Sequence, residues 1–81
     1  MVNIKFFGSA RVKFGIRELS VDASDMGGLL KAVAAEFKVC EKDLKQFIVY
    51  VNEVNISKLK MWKTKLNDGD GIMFISPASG G

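Results

Sequence analysis

The chain has no histidine, one cysteine (Cys40) and one proline (Pro77) among its 81 residues. Without histidine it lacks the commonest general base, the commonest zinc ligand and any Cys-His or Ser-His nucleophile pair, so a self-contained enzyme and a metal site are not expected. A lone cysteine cannot close an internal disulfide, and Cys40 reads as a small packing residue. Nor is there a long apolar run. Met1-Val2-Asn3-Ile4-Lys5 lacks the hydrophobic stretch of a secretory signal, and no segment approaches the ~20 apolar residues of a membrane span. These features predict a cytoplasmic protein with no membrane partner. Charge of one sign is scarce too: twelve basic residues are interleaved with nine acidic ones for a net +3, a weak basis for nucleic-acid binding, and none is expected.

What remains is ordinary globular composition, 48% hydrophobic and 26% charged, in a length that allows one domain with a modest core. Val2-Asn3-Ile4-Lys5-Phe6-Phe7 alternates apolar and polar until Phe7, predicting a strand with Val2, Ile4 and Phe6 inward and Phe7 on the polar face. Residues 9–15 break the pattern and read as a loop. Arg17 to Asp22 resumes it with Leu19 and Val21 inward, completing a hairpin. The period then changes: Met26, Leu29, Leu30, Val33 and Phe37 recur at helical spacing, with Ser24 or Asp25 as cap. Gly27 and Gly28 weaken the first turn of that helix unless packing requires small residues there. Glu41 to Gln46 reads as a helical turn, Phe47 to Val51 as a strand, Asn52-Glu53 as a turn, and residues 56–62 as a short edge segment. Asn67-Asp68-Gly69-Asp70-Gly71 signals a turn before a closing strand over Ile72-Met73-Phe74-Ile75, after which Pro77 ends regular pairing. The order predicts an α+β fold: a mixed sheet of about four or five strands with one main helix packed across it, the first and last strands parallel at its centre.

Ser76-Pro77-Ala78-Ser79-Gly80-Gly81 holds no bulky side chain, and such a tail, extended, reaches at most about 20 Å and fits a narrow channel. Gly80 and Gly81 let a partner's backbone close on both sides. A carboxylate on Gly81, with a reference pKa of about 3.3 to 3.7, is ionised at neutral pH and a poor electrophile, so chemistry at this end requires activation, which transfer of AMP from ATP would supply by turning one oxygen into part of a leaving group. A Gly-Gly ending is a weak signal alone, since chain ends are commonly unconstrained. Its weight comes from the strand order before it.

Phe6-Phe7-Gly8-Ser9-Ala10-Arg11-Val12-Lys13-Phe14-Gly15, Val51-Asn52-Glu53, Leu66-Asn67-Asp68-Gly69-Asp70 and Phe74-Ile75-Ser76-Pro77-Ala78-Ser79-Gly80-Gly81 together resemble the small subunits of molybdopterin synthase. The resemblance spans essentially the whole chain and extends to the thiamine-pathway sulfur carriers; Val12, Gly71 and Ser76 depart from the pattern. It implies a ubiquitin-like β-grasp domain over residues 1–75 and a flexible tail over 76–81. It implies that Gly81 is adenylated by a ubiquitin-activating-type adenylyltransferase that uses ATP. A sulfur donor protein then converts it to a thiocarboxylate, and the chain itself binds no cofactor. Gly80, Ser79, Ala78 and Pro77 then enter the large subunit of a hetero-oligomer, which builds the molybdopterin dithiolene. Phe7, Met73 and Ile75 would form an apolar docking patch beside the tail, with Arg11 either ordering its loop or touching the partner. Rival readings are a carrier serving thiazole or another sulfur acceptor, or a module binding nucleic acid or protein through residues 58–65.

Overall fold

The computed structural model describes residues 1–76. Five strands form one sheet in the order β2-β1-β5-β3-β4, comprising β1 Val2–Phe7, β2 Glu18–Val21, β3 Ile48–Val51, β4 Val54–Asn55 and β5 Gly71–Ile75. β1 pairs antiparallel with β2, and β5 lies between β1, to which it is parallel, and β3, to which it is antiparallel. The expected parallel pairing of first and last strands at the centre is therefore present. With a short helix α1, Ser9–Phe14, between β1 and β2 and the main helix α2, Met26–Phe37, packed across one face, the architecture is the β-grasp arrangement.

Alternation decides which face is buried. Val2, Ile4 and Phe6 of β1, Val49 and Val51 of β3 and Ile72 and Phe74 of β5 all point to the helix, where Met26, Leu29, Leu30 and Val33 meet them. Asp25 caps α2 by accepting the Gly28 amide at 2.7 Å, and Lys38 ends the helix in a left-handed conformation at φ 56°. A third, four-residue helical segment, Glu41–Leu44, matches the expected turn and seats Leu44 in the core. Phe6, Phe14, Phe37, Phe47 and Phe74 form one aromatic cluster, with neighbouring centroids 4.6 to 6.0 Å apart.

Two expectations are corrected. Residues 9–15 are not a loop, because Ser9–Phe14 form a short helix bounded by Gly8 at φ 64° and Gly15 at φ 74°. Ala10 and Phe14, four residues apart, bury one side of it, and that docking stabilises a helix too short to persist alone. Residues 56–62 do not extend the sheet: Ile56–Lys58 and Met61–Lys63 are single 3-10 turns, and the edge strand is the earlier two-residue β4. The hairpin joining β3 to β4 turns on Asn52 and Glu53, both at positive φ, the two-residue geometry that matches the twist of paired strands.

No helix among the described residues is long and apolar enough to cross a membrane.

Candidate functional site

β5 is the central strand and leads directly to the chain's last residues, so whatever follows Ile75 departs from between β1 and β3. Its start is fixed by a polar knot. Asp70 accepts the Asn52 side-chain amide at 2.9 Å and the Asn67 backbone amide at 2.8 Å, while the Asn52 side-chain oxygen accepts the Gly71 amide at 2.9 Å. The Asn67 amide, then the Asn52 side chain, holds the Asp70 carboxyl below its usual value. Two segments quoted separately for the family resemblance, Val51-Asn52-Glu53 and Leu66 to Asp70, are thus one structural unit, clamping the turn before β5 to the hairpin at the end of β3.

The outward face of the sheet carries an apolar row near the end of β5. Phe7 stands opposite Ile75 across the β1–β5 ladder, and Ile48 stands opposite Ile75 across the β3–β5 ladder. One step back, Lys5, Met73 and Tyr50 form the next row. Phe7 is 40% exposed and Ile48 38%, whereas the other five of the six phenylalanines join the core cluster. The structure therefore brings together Phe7, Met73 and Ile75, as parity predicted, and adds Ile48 and Tyr50, which the sequence reading did not name. Their signal was present in the run Phe47 to Val51: once Val49 and Val51 are inward, Ile48 and Tyr50 must be outward.

Arg11 is exposed on the short helix, not on a loop, and joins Phe7, Lys5, Arg17 and Glu18 around a shallow depression of about 480 Å³. Arg17 was also missed by sequence reasoning, because only the return of β2 beside β1 brings it there. Lys5 and Glu18 face each other at 3.9 Å, and the pair is solvent-exposed, so it adds little to stability. The depression keeps two guanidinium groups at the border of the apolar row.

Cys40 is an exposed free thiol, so its reading as a packing residue is corrected; it lies at the start of the segment after α2. Among the described residues no cluster of three or more His, Cys, Asp or Glu is arranged to hold a metal ion. The readings made for Pro77, Ala78, Ser79, Gly80 and Gly81 lie outside the described residues. Among the described residues, the arrangement presents a strand end beside an apolar face with a cationic corner.

No curated protein matches the chain. Among solved structures, the small archaeal modifier protein 1 from Methanosarcina acetivorans is similar over 99% of this chain and 95% of its own, with 22% identity and a TM-score of 0.86. Urm1 from Trypanosoma brucei is 25% identical over 99% of this chain and 94% of its own, with a TM-score of 0.76. The complex of subunits 1 and 2 of the molybdopterin-converting factor from Helicobacter pylori contains a chain 25% identical over 99% of this one and 97% of its own, with a TM-score of 0.67. The ThiS family model matches residues 4–81, which take in the sheet from Ile4 of β1 onward and the Gly-Gly end. With that match across a β-grasp fold, the chain belongs to the ThiS family and is a ubiquitin-like sulfur carrier by fold.

Proposed function

We propose that the chain is the sulfur-carrying small subunit of a molybdopterin synthase, with Gly81 as the reacting residue. The observation that carries this reading is the outward row Phe7–Ile75–Ile48 at the end of the strand that leads to the tail. A partner that covers this row sits at the end of the strand that precedes the tail, so docking and tail insertion would be coupled. The Helicobacter pylori structure, a complex of two molybdopterin-converting subunits, supports a hetero-oligomer of this kind.

In this reading the Gly81 carboxylate attacks the α-phosphorus of ATP on a ubiquitin-activating-type adenylyltransferase, releasing pyrophosphate. A persulfide on a sulfur donor protein displaces AMP from the acyl-adenylate. A second thiol then cleaves the resulting acyl disulfide, leaving the thiocarboxylate on Gly81 and a disulfide on the donor. Pro77, Ala78, Ser79 and Gly80 enter the channel of the large subunit, and Gly80 and Gly81 allow the channel to close around the backbone. Phe7, Met73 and Ile75 supply apolar contact and Arg11 a charged one. Most of the catalytic advantage would come from positioning in the partners, the chain acting as carrier in the cytoplasm.

Mass spectrometry of the chain co-expressed with the adenylyltransferase and sulfur donor checks this. The expected product is heavier by the difference between sulfur and oxygen, and deletion of Gly81 abolishes the gain. The thiocarboxylate form added to the large subunit with the pyranopterin precursor should then yield the dithiolene. Failure to accept sulfur sinks the carrier reading; sulfur loading without binding to the large subunit moves the chain to another acceptor, such as thiazole.

A further inference from the structure

Residues 58–65 form a second surface unlike the first. Lys58, Lys60, Lys63 and Lys65, four of the twelve basic residues, fall here, and no Asp or Glu occurs between Glu53 and Asp68. All four lysines are exposed, and none makes an ion pair among the described residues. The nearby carboxylates are engaged elsewhere: Asp25 caps α2, Asp68 holds the Met1 amino group, and Asp70 belongs to the knot before β5. Leu59 and Met61 stand among these lysines at 41% and 43% exposure. Lys58, Leu59, Lys60, Thr64 and Lys65 line a depression of about 470 Å³.

This strap is held rigidly. Thr64, the one buried polar residue among the described residues, accepts the Lys60 amide on its hydroxyl at 3.0 Å, and its carbonyl accepts the Met26 amide at 2.9 Å. The Leu66 amide is bonded to the Ser24 carbonyl at 2.9 Å. Trp62 packs against the core from the same segment, so it is not a free platform for stacking bases. Between these anchors Met61 takes φ 49°, a left-handed conformation unfavourable for a residue with a side chain, and its apolar side chain remains in solvent. A strained backbone that keeps a thioether exposed among unpaired ammonium groups fits an amphipathic acidic polypeptide: glutamates or aspartates for the lysines, aliphatic side chains for Leu59 and Met61.

We infer that the strap over residues 58–65 is a docking surface for an acidic, leucine-bearing protein segment, separate from the Phe7–Ile75–Ile48 face. The strap lies against α2 on the helix-bearing side of the sheet, whereas that face is on the other side. A protein bound there leaves β5 and the tail accessible, so two partners can hold the carrier simultaneously.

The test measures fluorescence anisotropy of a short labelled peptide of alternating glutamates and leucines with the full chain at about 0.15 M salt, where surface charges beyond ~8 Å are screened. The quadruple variant Lys58→Glu, Lys60→Glu, Lys63→Glu, Lys65→Glu should weaken binding at least about tenfold. Leu59→Ser with Met61→Ser should weaken it several-fold, while the control Lys31→Glu with Lys42→Glu, equally cationic positions elsewhere, and deletion of Gly80 and Gly81 leave it unchanged. Each variant is checked for the parent's cooperative thermal transition, and the Ser pair keeps the test informative if the charge reversal impairs folding. Absence of peptide binding, equal loss in the control, or indifference to the Ser pair overturns the proposal. Tighter binding of labelled single-stranded uridine RNA than of the peptide overturns it in favour of a nucleic-acid surface.

Discussion

At Phe6 and Phe7 the same side chain meets two environments, 1% and 40% exposed, because adjacent residues of a strand point to opposite faces. Phe6 touches Phe14, Phe37 and Phe74, and its removal leaves a cavity that the rigid sheet cannot close. Phe6→Ala should therefore cost about 3–5 kcal/mol and lower the thermal midpoint sharply. Phe7→Ser should leave that midpoint nearly unchanged and weaken binding to a synthase large subunit by about tenfold, as titration calorimetry can measure. If Phe7→Ser destabilises the free chain as Phe6→Ala does, Phe7 is a packing residue and the docking role fails. Asp70 gives a pH signature. Its folded-state pKa is lowered by the Asn67 amide and then the Asn52 side chain, so its contribution is present above the unfolded carboxylate value near ~4 and is lost as pH falls through the folded value. Asp70→Asn should flatten the acid-side loss of stability below about pH 4 in urea melts at stepped pH. A residual slope is expected from Asp68, shifted in the same direction by the Met1 amino group.

At the scale of elements, the two glycines in the first turn of α2 have different reasons to be there. A Cβ on Gly28 would sit 3.2 Å from the Asp25 carboxylate oxygen that caps the helix, whereas one on Gly27 would make ordinary contacts at 3.6 Å with that oxygen and with the Trp62 carbonyl. Gly27→Ala should gain up to about 1 kcal/mol from reduced unfolded-state entropy, and Gly28→Ala should gain less or lose, as the cap is pushed aside. Paired thermal melts decide it; equal gains at both sites would show that the cap is not constrained. The period of α2 was readable because Met26, Leu29, Leu30, Val33 and Phe37 repeat over several turns. The helix Ser9–Phe14 was not, since Ala10 and Phe14 supply a single apolar spacing and the folding signal lies in the Phe6, Phe37 and Phe47 rings that receive Phe14. The same holds for residues 56–62, where the Asn55 cap and buried Ile56 set the first turn and Thr64 bonding with Trp62 packing the second, not any repeating period.

For the whole molecule, the sheet joins the two ends of the chain: β1 and β5 pair in register from Asn3 with Gly71 to Phe7 with Ile75. A chain ending before Gly71 loses the strand between β1 and β3 and should not unfold cooperatively, while one ending after Ser76 retains every described strand and should keep the parent's midpoint. Circular dichroism melts of the two truncations check this, and a large drop for the longer one would show that residues 77–81 belong to the folded domain. The strands β1, β2, β3 and β5, the helix α2, the inward and outward parity of β1 and the family were determined by the sequence itself, because alternation and helical spacing are local and the ThiS pattern runs along the chain. Tertiary structure alone decided that Ile48 and Tyr50 complete the face of Phe7 and Ile75, that Asn52 clamps Asp70, and that Arg17 comes beside Arg11. Each depends on residues brought together across the sheet from distant positions, whose pairing no local period encodes.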